Sequence, residues 1–389
     1  MSDHAPDSAS LVRQAANALA SGEADNARAL LDSVISAGQA DASVWLLMAQ
    51  ARRLLGDHAG EGAAIDRALA LSPKDLGALL AKGDYLAAGG DARAASSFYT
   101  AALQYMPRYN SLPLPLQEGL RRAQSATQRL VRELEDFVRS KLSERGVAAA
   151  SAPPRFRNAV DIMFGRKRAY LQEPRYLYYP ELPQIQFYER SAFPWLDDVE
   201  AAVDDVRNEL QSVIGGEFKP YVTQPADRAK RDQQGLADNP DWSAYFLRRD
   251  GADQPGAARC PLTIAALARA PLTQIPNRTP SILFSKLAGG AHIPPHTGML
   301  NARLVGHLPL IVPPGCEFRV GNDVRSWVEG RAWVFDDTIE HEAWNRSDRD
   351  RYILIFDIWR PELSEEERAC VAALCEAIDS YRGRIAWDA

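Results

Sequence analysis

A period of 34 residues runs through the first third of the chain. Displaced by that interval, Leu11 falls on Trp45 and Leu79, Ala15 on Ala49 and Gly83, and Gly22 on Gly56 and Gly90. Leu31 likewise falls on Ile65 and Tyr99, and Val34 on Ala68 and Ala102. Self-similarity at one fixed interval marks a solenoid, because a single unit cannot bury its apolar face until a neighbour stacks on it. Small residues at the eighth place of each unit let two helices approach closely. Glycine at the fifteenth suits the turn between them, since it tolerates positive φ. Pro73 and Pro107 close the second and third units. The expected first domain is an α-solenoid over residues 8–146, after a disordered tail at 1–7.

This pattern resembles the tetratricopeptide repeat, which implies a concave surface for a peptide or protein partner. Residues 115–146 read as a long amphipathic helix with Leu116, Leu120, Leu130, Leu134, Phe137 and Val138 on its apolar stripe and Gly146 at its stop. It is expected to cap the solenoid. The stretch "VAAASAPP" (147–154) reads as a linker, with Pro153 and Pro154 preventing further helix.

From residue 155 to 389 the texture changes. "VEAAVDDVRNELQSVI" has helical spacing, whereas "SILFSKL", "LVGHLPLIV", "EFRVGNDVRSW", "RAWVFDD" and "RYILIFDIW" are short β-type runs. "VGNDVRSW" predicts a tight hairpin, and Gly330 a second turn. Short strands without βαβ alternation predict an antiparallel sandwich or barrel. Near the C-terminus "LSEEERACVAALCEAIDSYRG" predicts a helix, with Ser364 as N-cap, Glu367 completing a capping box and Gly383 just past its end. The whole chain is thus expected to be multidomain α + β.

Composition narrows the function classes. A net charge of -6 and the lack of any basic block argue against nucleic acid. The polar, acidic start "MSDHAPDSAS" is not a secretory signal, and no run is apolar enough to span a membrane. The cysteines, Cys260, Cys316, Cys370 and Cys375, lack CxxC spacing, so a cytoplasmic protein with reduced thiols is expected.

Histidine is scarce, with six in the chain, yet His292, His296, His307 and His341 all fall in the strand-rich part. No HExxH motif is present, and Pro294 and Pro295 keep His292 and His296 off one helical face. Two histidines on adjacent strands can instead hold Fe(II) on one face, leaving positions for an oxo-acid cosubstrate and O2. The carboxylate that usually follows the first histidine by two residues is missing, since Gly298 stands there. Arg351, downstream of His341, is placed to grip a distal carboxylate with its guanidinium fork.

The stretches "SKLAGGAHIPPHTGMLNARLVGHLPLIVP", "CEFRVGNDVRSWVEGRAWVFDDTIEHEAWN" and "RYILIFDIWRPELSEEER" resemble the aspartyl/asparaginyl β-hydroxylase family. The resemblance implies a double-stranded β-helix (jelly-roll or cupin-like) domain and an Fe(II)- and 2-oxoglutarate-dependent dioxygenase that uses O2 and releases succinate and CO2. Carried over by position, it implies His296 and His341 as metal ligands and Asp337 as the acid holding a water in place of the missing carboxylate. Ser285 and Arg351 then bind the distal carboxylate of 2-oxoglutarate, His307 contacts its other end, and Trp242 walls the pocket. Read as residues alone, His307 and Trp242 also suit plain core, and Ser285 a bond to a neighbouring strand. Arg303 is expected to pair with a substrate carboxylate, although the second arginine of the pattern is replaced by Val305. The implied target is the β-carbon of an Asp/Asn-type residue in a protein or peptide. A free or carrier-bound amino acid, another small molecule, or a non-catalytic repeat adaptor are the alternatives.

Overall fold

The structure is a computed structural model. It describes residues 8–106, 111–148, 151–216, 218–223 and 236–382. The expected tail at 1–7 and the expected helix stops Pro107 and Gly383 lie outside the described residues. The chain divides into two compact units, residues 1–164 and 165–389.

The first unit is an α-solenoid of three helical hairpins. Helices α1 (Ser8–Ala20) and α2 (Ala24–Ser36) form the first, α3 (Ala42–Leu54) and α4 (His58–Leu71) the second, and α5 (Leu76–Ala88) and α6 (Ala92–Tyr105) the third. Gly22, Gly56 and Gly90 take φ of 80°, 75° and 85°, so each hairpin turns at the same place by the same left-handed step. The period also sets the helix starts. Asp41 and Asp75 cap α3 and α5, and Asp57 and Asp91 cap α4 and α6, each carboxylate accepting from a backbone N–H at 2.8–3.0 Å.

Packing inside the hairpins explains the one substitution at the small position. Leu31 and Ile65 are buried opposite Ala15 and Ala49. In the third unit the large residue is Tyr99 and the small one Gly83, and a Cβ at Gly83 would run into the tyrosine ring. The aromatic fits because its partner has lost a carbon.

Helix α7 (Leu114–Glu144) packs its first third on α5 and α6 through Leu116, Leu120 and Ala123. The expected stripe is buried only there; Leu134 and Phe137 are 50% and 60% exposed. The cause is length. A 14-residue helix spans roughly 20 Å, and the 31-residue α7 outruns it. Pro153 and Pro154 also act differently from expectation: they begin helix α8 (Pro154–Met163) instead of barring one. At the first helical position the missing N–H has no partner to lose.

The second unit is built on two antiparallel sheets. Its strands are β1 (Lys219–Pro220), β2 (Trp242–Arg249), β3 (Ala252–Asp253), β4 (Ile282–Leu287), β5 (His292–His296) and β6 (Arg303–Ile311). They continue with β7 (Cys316–Val320), β8 (Asp323–Ser326), β9 (Trp333–Phe335), β10 (His341–Asn345) and β11 (Arg351–Trp359). One sheet runs β1-β2-β4-β11-β6-β9 with β3 against β2; the other runs β5-β10-β7-β8. The expected hairpin is β7–β8, turning through Gly321 and Asn322.

Alternation along the larger sheet sorts its residues by face. Phe284, Leu304, Leu308, Leu354 and Phe356 point to helices α9 (Leu196–Ala201) and α10 (Val203–Val213), beside α11 (Pro261–Ala266). Leu283, Leu287, Val305, Ile353 and Ile355 point inward against Ile293, Phe318, Val320 and Ala343 of the smaller sheet. The closing helix α12 (Glu365–Arg382) starts with the expected capping box, Ser364 N–H donating to Glu367 and Glu367 N–H to Ser364 Oγ. No helix among the described residues is long and apolar enough to cross a membrane.

Gly83→Ala should destabilise the first unit by about 1–3 kcal/mol, the usual range for overpacking. Tyr99→Leu, which restores the pairing of the other two units, should recover part of that loss when combined with it. Urea unfolding of the two single variants and the double variant measures the coupling.

Candidate active site

The inward faces of both sheets converge on one cavity. The same parity that buries Leu283 and Leu287 sends Ser285 of β4 inward, and it sends Arg303, Val305 and His307 of β6 inward together. On β11 it aligns Arg351, Ile353, Ile355 and Asp357. Trp242 opens β2. All of these residues line the cavity, with His296, Gly298, Asp337 and His341. Every site residue expected from the sequence is therefore found on its wall.

His341 begins β10 and His296 ends β5, and the antiparallel register sets them directly opposite one another. Cross-strand partners point to the same side, so the two rings meet with centroids 4.1 Å apart. His296 Nδ1 lies 2.8 Å from the Pro294 carbonyl oxygen and His341 Nδ1 3.1 Å from that of Ile339. Each carbonyl draws the ring proton onto Nδ1, which leaves Nε2 as a bare lone pair. Burial, opposed by the bond to Pro294 and helped by the charge of Arg175, pushes His296 down to about 4. Burial and then the neighbouring His296 hold His341 well below the ordinary imidazole range. Both rings are neutral at pH 7, the form that ligates a metal.

Among the described residues no third histidine, cysteine or acid joins them as a ligand set. A carboxylate nevertheless stands close by. Asp337 accepts from Arg303 Nη2 at 2.8 Å through Oδ2, while its buried Oδ1 has no hydrogen-bond partner. A Cβ at Gly298 would run into this carboxylate. Asp337 thus occupies the space that a side chain at position 298 would fill. Burial, against the pull of Arg303, lifts its carboxyl above the usual range, as an orphaned acceptor awaiting a donor or cation would be. The loop is fixed from below. Asp336 accepts from the fully buried Arg360 at 2.9 Å and from Gln172 at 2.6 Å. Two neutral imidazoles beside a carboxylate are the donor chemistry that a divalent transition-metal ion would take.

Arg303, also on the cavity wall, has partners of its own. Its guanidinium is engaged inside the protein, donating to Asp337 and to Asp357. Held between two carboxylates, it braces Asp337 and shares its charge with both acids.

Arg351 is the opposite case. It is 2% exposed, its Nε and Nη2 have no hydrogen-bond partner, and its guanidinium lies over the face of Trp327 at 4.9 Å. Burial, opposed by the neighbouring Cys316, brings it down to about 10. Leaving a buried guanidinium without a carboxylate costs several kcal/mol, a cost that an anionic ligand removes. His307, inward on β6, is kept neutral by burial and by the charge of Arg351, and its Nδ1 is also unpartnered. Trp242 donates to Ser285 Oγ at 3.3 Å and stacks on Tyr221 at 4.4 Å, its ring 5.7 Å from that of His296.

Sequence reading missed Asp357, Trp327, Tyr221 and Arg175. Asp357 had a usable signal, an acid in an apolar strand with the parity of Arg351. The other three come from hairpins and connections whose approach to the cavity no local pattern records.

Two antiparallel sheets closed around a polar cavity define the second unit as a double-stranded β-helix, the jelly-roll or cupin-like class. Residues 200–361 match the family described as aspartyl/asparaginyl beta-hydroxylase. The chain is 37% identical over 145 residues to the aspartyl/asparaginyl beta-hydroxylase of Mus musculus, covering 37% of this chain and 19% of that protein. It is 33% identical over 189 residues to the ornithine lipid ester-linked acyl 2-hydroxylase of Rhizobium tropici (48% and 64% covered). It is 32% identical over 202 residues to human aspartate beta-hydroxylase domain-containing protein 1 (51% and 50%). The chain spans less than two thirds of each of these relatives.

Gly298→Ala should displace Asp337 and weaken binding of Mn(II), a redox-silent probe of the centre, by about 10- to 100-fold, the scale of losses outside the ligands themselves. Isothermal titration of the variant against the parent checks this. Equal affinity would disconnect Asp337 from the metal.

Proposed function

We propose that the domain is an Fe(II)- and 2-oxoglutarate-dependent dioxygenase that hydroxylates an unactivated C–H. The preferred target is the β-carbon of an Asp/Asn-type residue in a protein or peptide. The observation that carries this reading is the uncompensated guanidinium of Arg351, buried in one cavity with two neutral, opposed imidazoles. A metal alone needs no cation there, whereas a dicarboxylate that also reaches the metal does.

In this reading His296 and His341 hold Fe(II), with Asp337 steadying a water on it. Arg351 and Ser285 anchor one carboxylate of 2-oxoglutarate, and His307 faces the other end. When bound, iron and cosubstrate supply the oxidising chemistry, with succinate and CO2 as coproducts. The protein's own work is placement. Arg351 fixes the cosubstrate by charge and geometry, the Ser285–Trp242–Tyr221 stack closes one wall, and the two carbonyls on Nδ1 keep the imidazoles from turning. The burial that keeps the imidazoles neutral also keeps bulk water out. The repeats suit a protein or peptide partner, which favours a protein target.

A second reading is hydroxylation of an acyl chain, as the name of the Rhizobium tropici relative indicates for that protein. Apolar wall residues Val222, Leu236 and Val305 favour it.

His341→Ala should abolish Fe(II)-dependent release of succinate. Arg351→Ala should raise the KM for 2-oxoglutarate roughly 10- to 100-fold, as loss of a charged hydrogen-bonding partner does. Succinate assays with added Fe(II) measure both, and an unchanged requirement in the Arg351 variant would reassign the anchor. Mass spectrometry for one added oxygen on peptides or on acyl lipids then separates the two substrate readings.

A further inference from the structure

Arg351 and Asp357 lie on one face of β11 six residues apart, roughly 20 Å along a strand. The cavity therefore has two ends. Arg351, His307 and Ser285 furnish one. Arg303 and Asp357 stand at the other, where Arg175 also lines the wall beside Gly298 and Met299.

Arg175 is the cation at that second end without an assigned task. Its main chain is held firmly: its N–H donates to Gly298 O at 2.9 Å, and those of Tyr176 and Leu177 donate to Met299 O at 2.8 and 3.1 Å. The arginine is thus tied to the turn that follows His296, and its charge is felt at that imidazole. Its side chain is exposed and, among the described residues, pairs with no carboxylate. The neighbouring cations are occupied, Arg303 by Asp337 and Asp357, and Arg278 by Asp379.

We propose that Arg175 is the specificity-determining residue of the substrate end, pairing with the carboxylate of an aspartyl-type substrate in preference to the carboxamide of its asparaginyl counterpart. This rests on the oxygenase reading and sharpens it. A guanidinium fork matches a carboxylate with two parallel hydrogen bonds and a charge, whereas a carboxamide offers one acceptor and turns N–H donors toward the same fork. A rim position makes the preference salt-sensitive, because the pair forms where ions reach it.

The test uses the full chain with Fe(II), 2-oxoglutarate and two synthetic peptides that differ only in Asp or Asn at one position. Substrate-stimulated succinate release and the one-oxygen mass gain give kcat/KM for each. The parent should favour the Asp peptide, by a ratio that shrinks as salt rises. Arg175→Ala should lower that ratio roughly ten-fold or more, and Arg175→Lys should keep part of it. An unchanged ratio in Arg175→Ala overturns the assignment. So does a parent that treats the two peptides alike, or that turns over neither while binding 2-oxoglutarate; both leave the oxygenase reading standing. Failure of the parent to bind 2-oxoglutarate removes the oxygenase reading, and this inference with it.

Discussion

The register between β5 and β10 is the constraint on which the site depends. Two imidazoles become one centre only because His341 is the cross-strand partner of His296. Side chains alternate faces along a strand, so a slip of one residue would turn one ring out of the cavity. Several contacts guard against it. Ile293 and Ala343 are buried on the same inward face, and the other edge of β10 is locked to β7 through a five-residue ladder. The apolar pairs that set the sheet therefore also set the distance between the two imidazoles.

Around that centre Arg360, Arg303 and Arg351 are treated in three ways. Arg360 is saturated, paired with Asp336 and bonded to Tyr188 and to two backbone carbonyls. Arg303 is shared between two acids and holds one of them against Gly298. Arg351 lies over an aromatic face and, among the described residues, pairs with no carboxylate. Buried charge is tolerated when compensated, so the first two read as architecture, whereas the third is the one whose charge an anionic ligand would compensate.

Much of this was legible in the chain. The 34-residue period carried the hairpins, their glycine turns and the pairing of small with large residues, because local sterics repeat with the sequence. The capping box at Ser364 and Glu367 and the hairpin at Gly321 are likewise local. The His296/His341/Arg351 set was legible by its spacing along strands. Other elements were not. Pro154 opens a helix because its place at the first turn decides its effect. The far half of α7 stays exposed because its partner helices end early. Arg303 could be placed on the inward face by parity, yet its two acids come from β11 and from the loop before β10.

What the sequence determined by itself was therefore periodicity and parity: which segments are helices or strands, and which residues share a face. Tertiary structure decided which charges meet. Whether a guanidinium is neutralised, shared or left open depends on carboxylates delivered by distant segments, and an electrostatic interaction falls off with distance through space, whatever the separation along the chain.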